Sequence, residues 1–229
     1  MPQSADQTRT VAAVIFDLDG VLVDSEAVWG EIRERFTQES GGRWHEGALR
    51  EMMGMSSVEW SRYMHDELEV PLPPEEINRQ VVDRVAEGYR ERVPLLPGAV
   101  ESVRSLAKEW PLGLASSSNR PLIDLVLERA GLADSFQVTV SSEEVERGKP
   151  APDVYLEAAS RLAVAPEACA AVEDSTNGIK SAHAAGMAVI AVPNRDFPPD
   201  QDALALAAVT LDSLTDLTPD LVRGIAAPE

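Results

Sequence analysis

Short, continuous apolar runs rich in β-branched residues recur along the chain at Val11 to Phe16, Leu112 to Ala115, Phe136 to Val140, Ala170 to Val172 and Ala188 to Val192. Such runs predict strands buried on both faces, as in a parallel sheet covered by helices on either side. From Pro97 onward, helix-period stretches lie between them, and this alternation predicts an α/β fold with a doubly wound parallel sheet. The interval between the first and second strands has another character. Val28, Ile32 and Phe36 repeat every fourth residue and stop at Gly41-Gly42, while Ile77, Val81, Val85 and Tyr89 form a second stripe after Pro73-Pro74. Both read as core-facing helices. With no convincing strand between them, residues 26–93 are expected to form an inserted α-helical domain, with 1–25 and 94–229 as the core. The segment Asp212 to Glu229 reads as a last helix docked on the core with a frayed end.

Composition narrows the function classes. At 229 residues, 44% hydrophobic and 26% charged, the chain can fill one α/β core plus an insertion. No apolar run approaches the roughly 20 residues of a membrane span, and the first residues lack a signal-peptide pattern, so a cytoplasmic location and no membrane partner are expected. A formal charge of −19 without a basic stripe disfavours nucleic acid. Cys169 is the only cysteine, which excludes an internal disulfide and reads as a buried, inert thiol. His45, His65 and His183 have no zinc-site spacing and read as structural or solvent-facing.

Four pieces carry candidate chemistry. Asp17-Leu18-Asp19-Gly20 stands where the first strand ends; there one carboxylate can act as nucleophile and the second can handle a proton. Taken alone, the Asp-Gly pair fits an Asx-type turn equally well. The segment Ser116-Ser117-Ser118-Asn119 runs from the second strand into a helix with Pro121 in its first turn. Hydroxyls and backbone amides there can cradle an anion, and Ser118 or Asn119 can also cap the helix. Lys149 is fixed between Gly148 and Pro150, a place where a solvated loop lysine is the ordinary case. Glu173-Asp174 ends another strand, as a paired carboxylate suited to a hard divalent cation, most naturally Mg2+, or as a helix cap. All four fall at the carboxyl ends of parallel strands, where such sheets bind ligands.

In this order and setting, the pieces resemble the haloacid dehalogenase superfamily, in the subgroup of sugar-phosphate phosphatases and β-phosphoglucomutase, over the whole chain. The resemblance implies a Rossmann-like core with a mobile helical cap. It also implies Asp17 as a nucleophile forming an aspartyl-phosphate, and Asp19 as general acid and then base. Ser116 and Lys149 would hold phosphoryl oxygens, with Gly20, Ser117 and Asn119 beside them. Mg2+ would be bound by Asp17, the Asp19 carbonyl and Asp174, with Glu173 as a ligand or as their supporting partner. Asp19 and the acidic pair argue against dehalogenation. In the mutase, a histidine stands at the position aligned with Trp29 and a phosphate-binding arginine at that of Ser57, so the resemblance favours a phosphatase of hexose or hexitol phosphates. Arg43, Arg50 or Arg62 could still supply charge for a mutase. Trp29 is expected either to touch the sugar or to pack the cap. The partner is expected to be a small phosphorylated metabolite, and the protein a monomer or weak dimer. A non-catalytic phosphate-binding protein is the reading from a different class, and loss of a site carboxylate or of Lys149 would favour it; none is lost.

Overall fold

The computed structural model describes residues 10–53, 55–195 and 197–225. Its sheet contains β1 (Ala13–Phe16), β2 (Leu112–Ser116), β3 (Val138–Ser141), β4 (Cys169–Glu173), β5 (Ala188–Ala191) and β6 (Val209–Thr210). All pairings are parallel, in the spatial order β3-β2-β1-β4-β5-β6. Every residue of β1, β2, β4 and β5 is buried, which is why these strands appear as unbroken apolar runs rather than alternations.

Before β2 come helices α1 (Glu26–Glu39), α2 (Ala48–Met52), α3 (Ser57–Asp66), α4 (Pro74–Glu91) and α5 (Ala99–Leu106). After it come α6 (Arg120–Ala130), α7 (Asp153–Leu162), α8 (Thr176–Ala184), α9 (Gln201–Leu204) and α10 (Pro219–Gly224). The two faces of β1 separate by the period of two that a strand imposes. Val14 and Phe16 join the α5 and α6 side chains Val103, Leu106, Ile123 and Val126. On the other face, Ala13 and Ile15 pack with Tyr155 and Ala158 of α7 and Ile179 and Ala182 of α8. The chain winds outward from β1 to β3, then returns to lay β4 on the other side of β1. That reversal opens a crevice at the carboxyl ends of β1 and β4, the usual ligand position in such sheets.

The insertion is helical, with no strand among its described residues. Ile32 and Phe36 of α1 and all four expected positions of α4 are buried, with Val28 packed half-buried beside them. Pro74 opens α4, and α1 ends just before Gly41, whose φ of +80° suits a glycine at a turn. Entry and exit of the insertion run side by side: Asp24 N donates to Pro94 O at 2.8 Å and Leu96 N to Leu22 O at 3.0 Å.

Some elements differ from expectation. β1 starts two residues later than its apolar run, and so does β3. The two-residue β6 is too short to leave a pattern, and α2 and α3 carry no named stripe. At α3 the start signal is instead local, with Ser56 N donating to the Glu59 carboxylate at 2.8 Å. The tail helix is α10, anchored by buried Val222, whereas the expected frayed end, 226–229, lies outside the described residues.

Candidate active site

Asp17 follows the last residue of β1, and its amide still donates to Val172 O of β4 at 3.0 Å, so the backbone beneath the carboxylate is fixed on the sheet. The chain then turns at Gly20, where φ is +78° and a Cβ would fall 1.9 Å from Asp174 Oδ2. Only glycine lets the loop after β1 and the end of β4 approach this closely. Asp19 is held from the neighbouring strand end: Ser118 Oγ donates to its Oδ2 at 2.6 Å, and Ser116 Oγ does so at 3.4 Å. Ser116 is fully buried, and its Oγ accepts from Ser118 N at 2.9 Å.

Lys149 reaches the same point from the loop before α7. Its buried ammonium lies 2.9 Å from Asp17 Oδ1 and 2.6 Å from Glu173 Oε1. The loop is tied down by Ser181 of α8, whose hydroxyl donates to Ala151 O at 2.6 Å. Burial alone would lower the Lys149 pKa, but Asp17 and Glu173 outweigh it and hold the lysine charged. Glu173 is completely buried and fully engaged. Its Oε1 also accepts from Tyr155 Oη at 2.7 Å, and its Oε2 accepts from Asp174 N at 3.1 Å. Ser175, not the acidic pair, caps α8 by accepting from Gly178 N at 3.1 Å.

The remaining carboxylates have the environment of a cation site. Asp17, Glu173 and Asp174 each bring an oxygen within 4.8 Å of the others, and Asp174 Oδ1 is buried without a hydrogen-bond partner. Burial pushes the Asp17 carboxyl up to about 8 against the pull of Lys149, with Glu173 and Asp19 adding to the rise. Asp174 is raised for the same reason, first by burial and then by Glu173 and Asp17. Buried, mutually repelling acids with an orphaned oxygen fit a hard divalent cation, which would remove both penalties.

The Asp17, Asp19 and Asp174 carboxylates open into a cavity of about 450 Å³ between the strand ends and the inserted helices, with Lys149, Glu173 and Ser116 behind them. Its core wall includes Asp17, Asp19, Ser117, Ser118, Asn119 and Asp174, and its helical wall includes Trp29, Arg33, Arg50, Met52, Met55, Ser57 and Trp60. Of the expected residues, Ser117 and Trp29 therefore line the cavity, and Trp29 also packs against Trp60 with ring centroids 5.9 Å apart. Asn119 is committed elsewhere. Its Oδ1 accepts from Ser57 of α3 at 2.8 Å, and its Nδ2 donates to Glu143 at 2.7 Å and to Asn78 of α4 at 3.3 Å. It joins the insertion to the core and makes no side-chain cap on α6, whose first amide instead donates to Glu143 at 3.0 Å.

Among the candidate arginines, Arg50 lines the cavity, whereas Arg43 pairs with Glu69 at 3.3 Å and Arg62 is exposed away from it. Exposed His45 and His65 bond to Tyr63 and Val70 O, exposed His183 lies on α8, and no histidine lines the cavity. Cys169 is a buried thiol, pushed up to about 12 by burial. Three contributors were not singled out from the sequence: Arg33, Trp60 and Tyr155. Arg33 stands four residues after Trp29, a same-face spacing that would have flagged it, but Tyr155 sits on an ordinary helix face with no such signal.

Comparison with known proteins places this geometry. The chain is 38% identical over 217 residues to hexitol phosphatase B of Escherichia coli K12, covering 92% of this chain and 96% of that protein. It is 32% identical over 219 residues to the bifunctional riboflavin kinase/FMN phosphatase of Arabidopsis thaliana, matching 95% of this chain but spanning only 57% of that longer protein. The fold superposes on CbbY from Rhodobacter sphaeroides in complex with phosphate with a TM-score of 0.81 at 26% identity, over 91% of this chain and 96% of that one. Residues 14–192, from within β1 to just past β5, match the model of the haloacid dehalogenase-like hydrolases, and the chain belongs to that family.

Proposed function

We propose that the protein is a Mg2+-dependent phosphatase that hydrolyses small sugar phosphates, of the hexose or hexitol type, through an aspartyl-phosphate on Asp17. The observation that carries this reading is the convergence of Asp17, Asp19, Lys149 and Asp174 at the β1/β4 crevice, in a cavity roofed by helices. The phosphatase names of the relatives support the same class.

In the first step, an Asp17 carboxylate oxygen bonds to phosphorus as the bond from phosphorus to the sugar oxygen breaks, and Asp19 gives that oxygen its proton. In the second, Asp19 takes a proton from water as the water oxygen bonds to phosphorus, releasing phosphate and restoring Asp17. The Ser118 hydroxyl orients Asp19 for both transfers. Lys149 and Ser116 bind phosphoryl oxygens, and Glu173, with Tyr155 behind it, keeps Lys149 aimed at Asp17 rather than serving as a ligand. Asp17, Asp174 and the Asp19 carbonyl would hold Mg2+, which when bound neutralises phosphoryl charge. Residues 26–93 act as a cap that excludes water, with Asn119 bonding it to the core. A cytoplasmic setting and a monomer or weak dimer complete the reading.

A phosphomutase is the second reading, and Arg33 and Arg50 in the helical wall favour it by supplying the charge that a second phosphate requires. The test is Mg2+-dependent phosphate release across hexose, hexitol, pentose and triose phosphates, with Asp17→Asn and isomerisation of β-glucose 1-phosphate in parallel. Release that Asp17→Asn abolishes while its circular dichroism is unchanged is the expected result. Isomerisation without release would make the protein a mutase, and normal turnover by Asp17→Asn would remove the nucleophile.

A further inference from the structure

Between the strand ends and the inserted helices, a third side of the cavity is formed by the loop from β5 to α9, through Phe197, Pro198, Pro199 and Asp200, with Thr176 and Asn177 at the start of α8 beside it. The topology puts this loop there. β5 lies next to β4, so its loop borders the Asp17 and Asp174 carboxylates from the side opposite the β2 segment Ser117 to Asn119. Both ends are fixed: Val192 N donates to Glu173 O at 2.7 Å, and Asp200 N donates to Thr176 Oγ1 at 2.8 Å. Within the loop, Phe197 N donates to Asn194 Oδ1 at 3.2 Å, and the two following prolines, of which Pro199 is buried, restrict the backbone. Phe197 is therefore carried on a pre-organised segment.

Among the described residues, the aromatic lining of the cavity is Trp29, Trp60 and Phe197, and the three are not equivalent. Trp29 is 6% exposed and Trp60 is 2% exposed, and their rings are occupied with each other and with the Arg33 guanidinium between them. Phe197 is half-buried, joins neither hydrophobic core and has no ring partner among the described residues. Its ring is apolar surface that the fold itself leaves uncovered, in the cavity that must hold the leaving group. Beside it, the Asn177 amide and the Asp200 carboxylate line the same cavity, and neither side chain is in a hydrogen bond within the protein among the described residues. They offer a donor and acceptors to hydroxyl groups. A flat apolar surface rimmed by such groups matches a ligand with one apolar face and a hydroxylated edge, which describes a sugar ring. An open-chain polyol turns its hydroxyls to all sides and loses more torsional freedom on binding.

We propose that Phe197 is a specificity-determining residue that packs against the C–H face of a ring-form sugar, so that the enzyme prefers cyclic hexose phosphates to open-chain hexitol phosphates. This rests on the phosphatase reading and narrows its substrate class. The attraction has two sources: apolar area removed from water, and the negative face of the phenyl ring meeting C–H bonds polarised by the sugar oxygens. Phe197 stands away from the groups that transfer the phosphoryl group, so its contribution belongs to binding and not to the chemical step.

The test compares glucose 6-phosphate, a pyranose in solution, with sorbitol 6-phosphate, which carries its phosphate on the same carbon of an open chain. Glycerol 3-phosphate, which shares only the phosphate end, serves as the control. Affinities are measured calorimetrically in the Asp17→Asn background with Mg2+, where binding is read without turnover. Phe197→Ala and Phe197→Leu are added to it, the second because it keeps apolar bulk without a flat face, and circular dichroism checks that both fold. The expected result is binding of glucose 6-phosphate about 3- to 10-fold tighter than that of sorbitol 6-phosphate. Both Phe197 variants should bring that ratio close to one and leave glycerol 3-phosphate unchanged. In the active enzyme, the same variants should raise KM for glucose 6-phosphate with kcat held. Equal or tighter binding of sorbitol 6-phosphate, binding of neither hexose ligand, or a ratio that survives in either variant would overturn the proposal. So would an equal loss for all three ligands, which would make Phe197 a structural residue of the loop. Phosphate release by the unmodified protein is measured separately, so a ring preference in binding without release would break the phosphatase reading alone.

Discussion

The two walls of the cavity are built in opposite ways. On and just behind the core wall, charged groups other than Asp174 are paired: Lys149 with Asp17 and Glu173, Glu173 with Tyr155 of α7, and Asp19 with Ser118. The helical wall offers methionines, two tryptophans, Arg33, Arg50 and Glu26, with Ser57 as its bonded link to the core through Asn119. The difference teaches where each task resides. On the proposed mechanism, the groups that would hold reacting atoms sit at the sheet edge and are fixed by several contacts, whereas those that would read the rest of the substrate sit on the inserted helices.

Changes to the core wall should therefore appear in kcat, and changes to the helical wall in KM. The largest expected effect after loss of Asp17 is that of Asp19→Asn, which keeps the shape but cannot move a proton. Its kcat should fall by about 10²- to 10⁴-fold with little change in KM. A KM effect alone would mean that Asp19 binds substrate rather than transferring a proton.

Much of the core wall was legible before the fold was known. Asp17, Asp19, Ser116, Lys149 and Glu173-Asp174 stand at the ends of apolar runs or beside turn-forming residues, and the ends of parallel strands converge by topology. The helical wall was less legible because a helix presents a different residue to the cavity at each turn. Arg33 follows Ile32 in a chain segment whose visible stripe was Val28, Ile32 and Phe36, so only its four-residue spacing from Trp29 sets it apart from a solvated charge until Trp60 from α3 is packed over it. Asn119 was legible as a polar residue at the site, but its commitment to Ser57 and Asn78 arises from contacts with residues 62 and 41 positions away. Tyr155 is of the same kind: its hydroxyl finds Glu173 only once α7 packs against β1, β2 and β3.

A smaller effect sharpens the comparison from behind the core wall. Tyr155→Phe removes one hydrogen bond to Glu173 and leaves the ring in place, so kcat should fall by about tenfold with KM nearly unchanged and thermal stability lowered by about 1 kcal/mol. A change in KM alone would contradict a role in positioning Lys149. The smallest effect belongs to the junction of the two walls. Ser57→Ala deletes the bond from α3 to Asn119, and KM should rise by about 2- to 10-fold with kcat held. If kcat fell instead, the walls would not divide the work as described.

The central claim is that Asp17 carries the phosphoryl group. Its most direct test is rapid acid quenching of the enzyme during turnover of its best sugar phosphate with Mg2+, followed by mass spectrometry of the peptide that contains Asp17. The account predicts the added mass of one phosphoryl group on Asp17 and its absence when Mg2+ is chelated. Phosphate release with that peptide always unmodified, and with Asp17→Asn still active, would contradict it.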